Sequence, residues 1–259
     1  MIEKIFQHCI ELTNKRWSSA LLKRAVQSRA SKRFIVPYSK VYDINVQEVS
    51  KPLPEFSSLH EFFTRTLRHG SRPIDEGNVL VSPVDAKIES FGHIEEGMRF
   101  TVKGKPYRLE DLLGHQSRAA AYKNGQYIVF YLSPADYHRM HSPVDAHVLR
   151  QYVLGQRSYP VNQLGLTYGK KPLSHNYRMV TQLETAAGVH MDFIKVGALF
   201  VNSIALTNTT NVWKRGEEVG YFTFGSTVVM LFEQETVQFN ENVTQGSMIQ
   251  MGTSFANVL

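Results

Sequence analysis

The sequence predicts an α+β protein in which N-terminal amphipathic helices precede a mainly antiparallel β body. Two observations support this fold class. In residues 1–33, apolar residues recur at the three- and four-residue spacing of a helix. From Val79 onwards, short runs rich in β-branched and aromatic residues follow one another, many of them separated by glycine or proline. The chain has no internal repeat, and its 259 residues are enough for one or two domains.

The first 40 residues are strongly basic. They hold nine lysines and arginines against two glutamates, a net charge of +7, so the rest of the chain sums to −1. A basic polar face opposite Trp, Phe and Leu is typical of a helix lying in the headgroup layer of an anionic membrane. A nucleic-acid-binding protein usually spreads its basic residues over a folded face instead. We interpret residues 1–40 as membrane-associating helices and residues 41–259 as a β-rich domain; a core-packed terminal helix with a solvated basic face stays open.

The elements of the β-rich domain follow from local patterns. Ser58 and Glu61 have the form of a capping box, which predicts a helix running to about Arg68. One or two helical turns are expected at residues 108–114, closed by Gly114. Period-two patterns predict seven strands, at residues 79–81, 87–91, 127–132, 147–154, 177–183, 189–195 and 199–206.

The segment 155–176 is polar and holds three glycines and two prolines, so it is predicted to be a long loop. Long loops of this kind often bind ligands. Basic residues in or beside it are a candidate cradle for a phosphate group: Arg157, Lys170, Lys171, His175 and Arg178.

The sequence also indicates the cellular compartment of the protein. The single cysteine, Cys9, excludes an internal disulfide and fits a reducing environment. No apolar run approaches the roughly 20 residues needed to span a bilayer. The N-terminus lacks the apolar core and cleavage site of a secretion signal. We expect a protein of the cytosol or of the cytosolic face of a membrane.

The stretch Gly225-Ser226-Thr227 lies between two flanks that both read as strand, so two strands or one kinked strand are predicted around it. A glycine at this bend leaves a peptide bond open to the neighbouring Ser226 hydroxyl. On the tripeptide alone, a purely structural corner is the more common interpretation.

Two further stretches change that balance, at residues 81–87 and 131–143. The first contains Asp85. In the second, Ser133-Pro134-Ala135-Asp136 predicts a helix start that places His138 and His141 on one face. A serine nucleophile needs a base, and the base needs an ionised partner. Asp85, a histidine and Ser226 would supply these roles, and the spacing permits either histidine. A metal site would need a third ligand that the motif lacks, so no metal is expected.

Together with residues 224–227, these stretches resemble the three signatures of the phosphatidylserine decarboxylase proenzymes of the shorter bacterial type. Phe224 and Ala86 stand where the family usually has leucine and glycine, and neither change removes a reactive group. The resemblance runs through most of the chain and includes Phe62-Phe63-Thr64-Arg65, Arg72-Pro73-Ile74-Asp75, Tyr159-Pro160-Val161-Asn162 and Lys214-Arg215-Gly216-Glu217-Glu218.

The resemblance implies a self-cleaving proenzyme of phospholipid biosynthesis. Asp85, His141 and Ser226 would cleave the chain between Gly225 and Ser226 into a β chain, residues 1–225, and an α chain, residues 226–259, which stay together as a heterodimer. Ser226 would become a pyruvoyl cofactor that holds phosphatidylserine as a Schiff base. His138 would donate the proton that completes phosphatidylethanolamine after carbon dioxide leaves. The enzyme is expected on the cytoplasmic face of the cell membrane as a peripheral protein, without nucleic acid.

Two other functions are compatible with parts of the sequence. A pyruvoyl decarboxylase of a free amino acid would need no membrane contact, and the basic N-terminal segment argues against it. A non-enzymatic, β-rich membrane-binding module would not need Asp85, His138, His141 and Ser226 each within a matching motif. A denaturing gel separates the enzymes from the module, because only a self-cleaving chain gives two bands.

Overall fold

The computed structural model describes residues 24–198, 204–223 and 225–259. The helices predicted over residues 1–23 lie outside this part of the chain. Residues 24–27 are helical. A 3-10 helix follows at Arg29–Phe34, and it leads directly into helix α1, Ile35–Val41. Among the described residues, no helix has the length and apolar character needed to cross a bilayer.

The described elements confirm the α+β prediction, with short helices set around antiparallel strands. After α1 the helices are α2 (Leu59–Phe63), α3 (Leu109–Leu113), α4 (Gln116–Ala120), α5 (Gln163–Tyr168) and α6 (Pro172–His175), with 3-10 turns at Val46–Glu48 and Leu53–Glu55. The strands are β1 (Val79–Val81), β2 (Ala86–His93), β3 (Arg99–Val102), β4 (Lys105–Arg108), β5 (Gln126–Leu132), β6 (Arg139–His141), β7 (Ala146–Leu154), β8 (Arg178–Glu184), β9 (His190–Gly197), β10 (Ile204–Leu206), β11 (Val212–Trp213), β12 (Glu218–Phe222), β13 (Ser226–Phe232), β14 (Val237–Phe239), β15 (Met248–Ile249) and β16 (Ser254–Val258).

The core is built on an antiparallel sheet of eight strands in the order β11-β7-β8-β9-β13-β5-β2-β15. Strand β13 lies in its middle, paired with β9 on one side and β5 on the other. Its side chains alternate between the two faces of the sheet, as a pleated strand requires. Val228, Met230 and Phe232 pack into one apolar cluster, and Val229 and Leu231 into the other. All seven residues of β13 are buried, so Ser226 begins the most protected strand of the sheet.

Strands β12 and β13 are consecutive in the chain but belong to different sheets. β12 pairs with β10 and β6 in a small three-stranded sheet, whereas β13 enters the central one. The chain changes sheets within residues 223–225, of which Phe224 lies outside the described residues. The prediction of two strands flanking Gly225 is therefore confirmed.

The other predicted strands are confirmed to within a few residues, apart from 199–203, which lie outside the described residues. The capping box is present in part: Ser58 Oγ accepts from the Glu61 amide at 3.2 Å, and the Glu61 carboxylate accepts from the Ser57 amide at 2.7 Å. Helix α2 stops at Phe63, short of the predicted Arg68, because the chain next forms a β-bridge between Leu67 and Val49. Helix α3 ends at Gly114 with φ 74, as predicted.

The predicted loop at 155–176 was wrong, because it contains helices α5 and α6. Asn162 caps α5 by accepting from the Gly165 amide at 2.9 Å, and Pro172 occupies the first turn of α6. Both residues are favourable at helix starts. The glycine and proline content that indicated a loop marks the ends of two very short helices.

The segment before the β body is packed against it. Ile35 of α1 joins an apolar cluster with Ile44, Val49, Phe56 and Phe62, and Tyr38 packs against the same cluster. The Tyr38 hydroxyl donates to the Pro134 carbonyl at 3.0 Å, which ties α1 to the stretch that carries His138. The proposed boundary at residue 40 stays a prediction; residues 35–38 are in contact with the body.

Lys195 is a buried cation whose removal should stabilise the fold. It lies within the apolar side of the central sheet, over the rings of Phe193 and Trp213, and hydrogen-bonds to Thr181 Oγ1. Burial lowers the pKa of its ammonium from 10.5 to about 7. Below this value the lysine is charged in both the folded and the unfolded chain, and the whole desolvation cost, about 5 kcal/mol, is present.

Above about pH 7 only the unfolded chain keeps the proton, so wild-type stability rises with pH up to about 10.5. We therefore expect Lys195→Met, in the uncut Ser226→Ala chain, to raise Tm most near pH 6, with the gain shrinking towards pH 9.5. The exposed Lys123→Met is the matched control. A gain from Lys195→Met that does not change with pH would contradict the assignment of a depressed pKa.

Candidate active site

Ser226 is held at the end of the central sheet. In the register of β13 it faces Leu132 of β5 and Gly197 of β9, and its side chain is fully buried. The residue before it, Gly225, closes the three-residue connection from β12. The serine hydroxyl and the peptide bond preceding it therefore lie at a change of direction in the backbone, inside the protein.

His138 is the histidine in contact with this serine. Its Nδ1 lies 3.3 Å from Ser226 Oγ, and its Nε2 lies 3.0 Å from the Ser133 carbonyl oxygen. A carbonyl only accepts, so Nε2 carries the proton and Nδ1 offers its lone pair to the serine hydroxyl. Phe63 of α2 stacks on the ring with centroids 4.0 Å apart. The backbone of His138 accepts from the Phe222 amide at 2.9 Å, which fixes the histidine to the end of β12.

The electrostatic setting of His138 keeps it neutral. Complete burial, and then the nearby Arg65 guanidinium, lower the pKa of its imidazole to about 3. No carboxylate hydrogen-bonds to it within the described residues. His138 is thus placed to accept a hydrogen bond from Ser226, but holding a full proton at neutral pH would cost about 5 kcal/mol.

His141 has different neighbours. At the end of β6 its Nδ1 lies 2.8 Å from the Gly216 carbonyl, to which it donates, and its Nε2 lies 3.1 Å from the Tyr137 hydroxyl. Burial lowers the pKa of this imidazole too, but the Gly216 carbonyl, Glu218 and Asp85 act in the opposite direction. The two histidines therefore differ in kind: one touches the serine, and the other faces carboxylates.

The two histidines have different neighbours because of the backbone between them. The helical turn predicted to start at Ser133 was wrong. Residues 133–136 form a tight turn in which the Asp136 amide donates to the Ser133 carbonyl at 3.0 Å, while the Asp136 carboxylate accepts from the Ser133 amide at 2.6 Å. The chain then enters strand β6. Residues three apart in extended backbone point to opposite sides, so His138 and His141 do not share a face.

Asp85 is buried and fully engaged by other partners. Arg72 grips it with Nε at 2.9 Å and 3.0 Å from the two carboxylate oxygens and with Nη2 at 2.6 Å from one of them. The Met251 amide donates to the same carboxylate at 2.8 Å. No hydrogen bond joins Asp85 to His141 in the described part of the chain. The expected hydrogen-bonded chain from Asp85 through His141 to Ser226 is thus not formed, and Asp85 acts on His141 only as a nearby charge.

Arg72 is a site residue that sequence reasoning did not single out. Its guanidinium also reaches Glu48 Oε2 at 2.9 Å, so it links the aspartate to the 3-10 turn before α2. The signal was available, because Arg72 opens one of the motifs that carried the family resemblance. What the motif lacked was any sign that its arginine pairs with Asp85.

One of the five candidate phosphate-binding residues, Arg178, is already occupied by protein partners. Arg178 is buried, and it donates to the backbone carbonyls of Leu112, Asp111 and Asn176 at 2.7, 2.7 and 3.2 Å. Its guanidinium therefore holds helix α3 against β8. Lys171 Nζ lies 4.0 Å from an Asp111 oxygen. For Arg157, Lys170 and His175 a ligand role stays a prediction.

Comparison with known proteins gives a single answer. The family model described as "Phosphatidylserine decarboxylase" matches residues 59–257. Proteins named "Phosphatidylserine decarboxylase proenzyme" from Bacillus thuringiensis (strain Al Hakam) and Bacillus cereus (strain 03BB102) are each 46% identical over 260 residues, covering 100% of this chain and 99% of theirs. With Asp85, both histidines and the Gly225-Ser226 junction inside the matched region, this chain belongs to the phosphatidylserine decarboxylase family.

Proposed function

We propose that this chain is a proenzyme that cuts itself between Gly225 and Ser226 and then decarboxylates phosphatidylserine to phosphatidylethanolamine. The observation that carries the proposal is the 3.3 Å contact between His138 Nδ1 and Ser226 Oγ at a buried chain reversal preceded by glycine. The names of the relatives, proenzymes of phosphatidylserine decarboxylase, supply the substrate. The test is a denaturing gel with an assay of carbon dioxide release from phosphatidylserine. Two chains with release support the proposal; one chain with full activity contradicts it.

The cleavage uses only groups of the chain and one water. Ser226 Oγ loses its proton and bonds to the Gly225 carbonyl carbon; the peptide C–N bond breaks, and its nitrogen takes a proton, leaving an ester. Loss of the Ser226 Cα proton then breaks the Cβ–Oγ bond, so the oxygen stays on the Gly225 carboxylate and a dehydroalanine remains. Its imine tautomer takes up water and releases ammonia. Glycine suits this junction because no side chain blocks the attacked carbonyl.

The two histidines have different roles in the cleavage. His141, whose imidazole faces Asp85 and Glu218, takes the serine proton, since these carboxylates stabilise the imidazolium that forms. His138 lies near the positive charge of Arg65, and no carboxylate among the described residues hydrogen-bonds to it. It therefore stays neutral and orients the Ser226 hydroxyl as a hydrogen-bond acceptor. In the structure Tyr137 occupies His141 Nε2, so this assignment requires that hydrogen bond to open.

The site fits a pyruvoyl group formed from Ser226, because its carbons would remain where the buried serine lies, beside His138. When formed, that ketone would bind the substrate amine and supply the electron sink for decarboxylation. His138 Nδ1, within hydrogen-bond reach of this position, would take a proton from the substrate ammonium as the amine binds and return it to the substrate carbon. Because the proton is held only in transit, the low pKa of this imidazole does not prevent the transfer. Burial of the position excludes competing water.

The N-terminal segment would hold the enzyme at the cytoplasmic face of the cell membrane. We expect reversal of Lys15, Arg16, Lys23 and Arg24 to glutamate to weaken binding to anionic vesicles at least about tenfold, since each basic residue contributes about 1 kcal/mol near such a surface. Co-sedimentation measures it, and added salt should weaken wild-type binding as well. Reversal of the same number of basic residues on the β body is the control. Unchanged co-sedimentation of the N-terminal variant would place the membrane contact elsewhere.

A further inference from the structure

Arg65 is a buried cation with unused hydrogen-bonding capacity. Its side chain is 4% exposed, and Nη2 donates to the carbonyls of Ala135 and Asp136 at 2.6 and 3.0 Å. Among the described residues, its buried Nε and Nη1 have no hydrogen-bond partner. No ion pair to Arg65 occurs among residues 24–198, 204–223 and 225–259. An unpaired buried charge is costly, so a guanidinium kept in this state needs a reason.

Arg65 lines a cavity of about 260 Å³ that lies beside the reacting centre. Asp85, Asp136 and Tyr137 line it as well, and Tyr137 directly precedes His138 in the chain. Arg65 also acts on His138 itself, since its charge helps to lower the pKa of that imidazole. Arg65 therefore both lines the cavity and acts electrostatically on the histidine that contacts Ser226.

The lining of this cavity is mixed: Ile44 and Met248 are apolar, whereas Asp43 is charged and Asn45 and Gln250 are polar. Met248 is 64% exposed, and Val41, just before the lining segment, is 77% exposed. Tyr42 and Val46 are exposed beside them. The exposed apolar residues near this segment offer a surface for acyl chains, and the buried Arg65 guanidinium offers donors to an anionic headgroup.

The carboxylates of the cavity do not neutralise Arg65 by contact. Asp85 and Glu48 are held by Arg72, and Asp136 accepts from the Ser133 amide. Burial raises the pKa of Asp136 to about 6. The Arg65 guanidinium also lies over the Phe62 ring, 5.4 Å from its centroid. The hydrogen-bond partners that Nε and Nη1 lack among the described protein atoms can be supplied by water or by a bound ligand.

We propose that this cavity receives the headgroup of the lipid substrate and that Arg65 binds its phosphodiester through Nε and Nη1. The inference rests on the proposed function. A phosphodiester carries one negative charge and acceptor oxygens, which the guanidinium matches. The amine beyond the phosphate then extends towards position 226. A carboxylate is the poorer ligand for Arg65, because binding it would stabilise the group that must leave.

The first test uses the unmodified, processed enzyme. Glycerophosphoethanolamine, a soluble headgroup without acyl chains, should compete with phosphatidylserine, whereas ethanolamine should not. Inorganic phosphate should compete at least about tenfold more weakly, which identifies the lipid headgroup rather than free phosphate as the natural source. Absence of competition by both phosphate compounds overturns the proposal even if the enzyme cleaves and releases carbon dioxide normally.

The second test compares two arginines of matched burial. Arg65→Gln should raise KM for glycerophosphoserine by about tenfold to a hundredfold, the range for losing a charged hydrogen bond, and leave KM for O-methylserine, which has no phosphate, within about twofold. Arg65→Lys should restore part of the loss. Arg178→Gln, which removes an equally buried guanidinium bound only to carbonyls, should lower Tm without changing the ratio of the two KM values.

Each outcome of this comparison is decisive. The phosphodiester contact is supported if Arg65→Gln still gives two bands on the gel and the ratio of the KM for O-methylserine to the KM for glycerophosphoserine falls towards one. Equal KM changes for both substrates, or a ratio changed as much by Arg178→Gln, overturn it. If Arg65→Gln does not fold, Arg65→Lys and the competition measurement decide. Failure of the proposed function is recognised separately, because then the wild-type enzyme gives one band and releases no carbon dioxide.

Discussion

Ser226→Ala is expected to yield a single 259-residue chain that releases no carbon dioxide from phosphatidylserine. In the proposed mechanism the Ser226 hydroxyl is the nucleophile that cuts the chain, and the serine carbons form the ketone only after that cut, so loss of the hydroxyl would remove the cofactor and not merely one interaction. Activity should fall to background, a loss of at least about 10⁶-fold on the scale of enzymatic rate enhancements. The structure should be kept, because alanine is smaller than serine and, within the described residues, the Ser226 hydroxyl has one hydrogen-bond partner, His138.

The matched control is Thr227→Val, which removes the neighbouring hydroxyl. Thr227 is buried as completely as Ser226, and in the part of the chain that the structure describes its Oγ1 has no hydrogen-bond partner. This variant should still give the two chains, residues 1–225 and 226–259. Intact-mass analysis of wild type should show the α chain lighter by one ammonia than a serine-initiated chain. Full decarboxylase activity in an uncut Ser226→Ala protein would overturn the proposal.

The second large effect separates the two histidines. If His141 is the base that takes the serine proton, as proposed, His141→Ala should leave the chain uncut, and Asp85→Asn should do the same by removing a charge that stabilises its imidazolium. His138→Ala should still cleave, more slowly, and the processed enzyme should turn over about 10²–10⁴-fold less well, the usual worth of a positioned proton donor. Both variants are run on a denaturing gel before carbon dioxide release is assayed.

The opposite pattern has an equally clear meaning. The direct contact in the uncut chain belongs to His138, not His141. If His138→Ala stays uncut while His141→Ala cleaves, proximity outweighs the charge argument and the two roles are reversed. His138→Gln adds a second measure, since an amide can still accept from the serine hydroxyl but cannot transfer a proton. Cleavage restored in His138→Gln, with turnover still low, would support the orienting role.

The fold was largely predictable because its strands carry period-two patterns bounded by glycine and proline. The Gly225 junction was predictable for the same reason, since β-rich flanks on both sides left only a bend between them. Helices α5 and α6 were not predictable, because elements of four and six residues have too few positions to establish a period. Asn162, the N-cap of α5, and Pro172, the first residue of α6, are visible in the sequence, but both residue types are also common in loops.

The site was predictable as a set of residues but not as an arrangement. Asp85, His138, His141 and Ser226 each lie in a motif, and motifs give identity without contacts. The helical turn expected after Ser133 would have made the histidines equivalent; strand β6 separates them. The Arg72–Asp85 pair and the unpaired Arg65 depend on residues distant in sequence meeting in space, which no single-chain pattern reports.

The position of β13 decides what processing does to the folded protein. Cutting before Ser226 leaves the α chain with the central strand of the main sheet, bonded to β5 and β9 along seven residues on each side. Strands β15 and β16 remain paired with β2 and β1 of the other fragment. The proposed product would be one fold made of two polypeptides, whose unfolding releases two chains instead of one. Its thermal midpoint would then depend on protein concentration, and recovery after denaturation would require the two fragments to associate again.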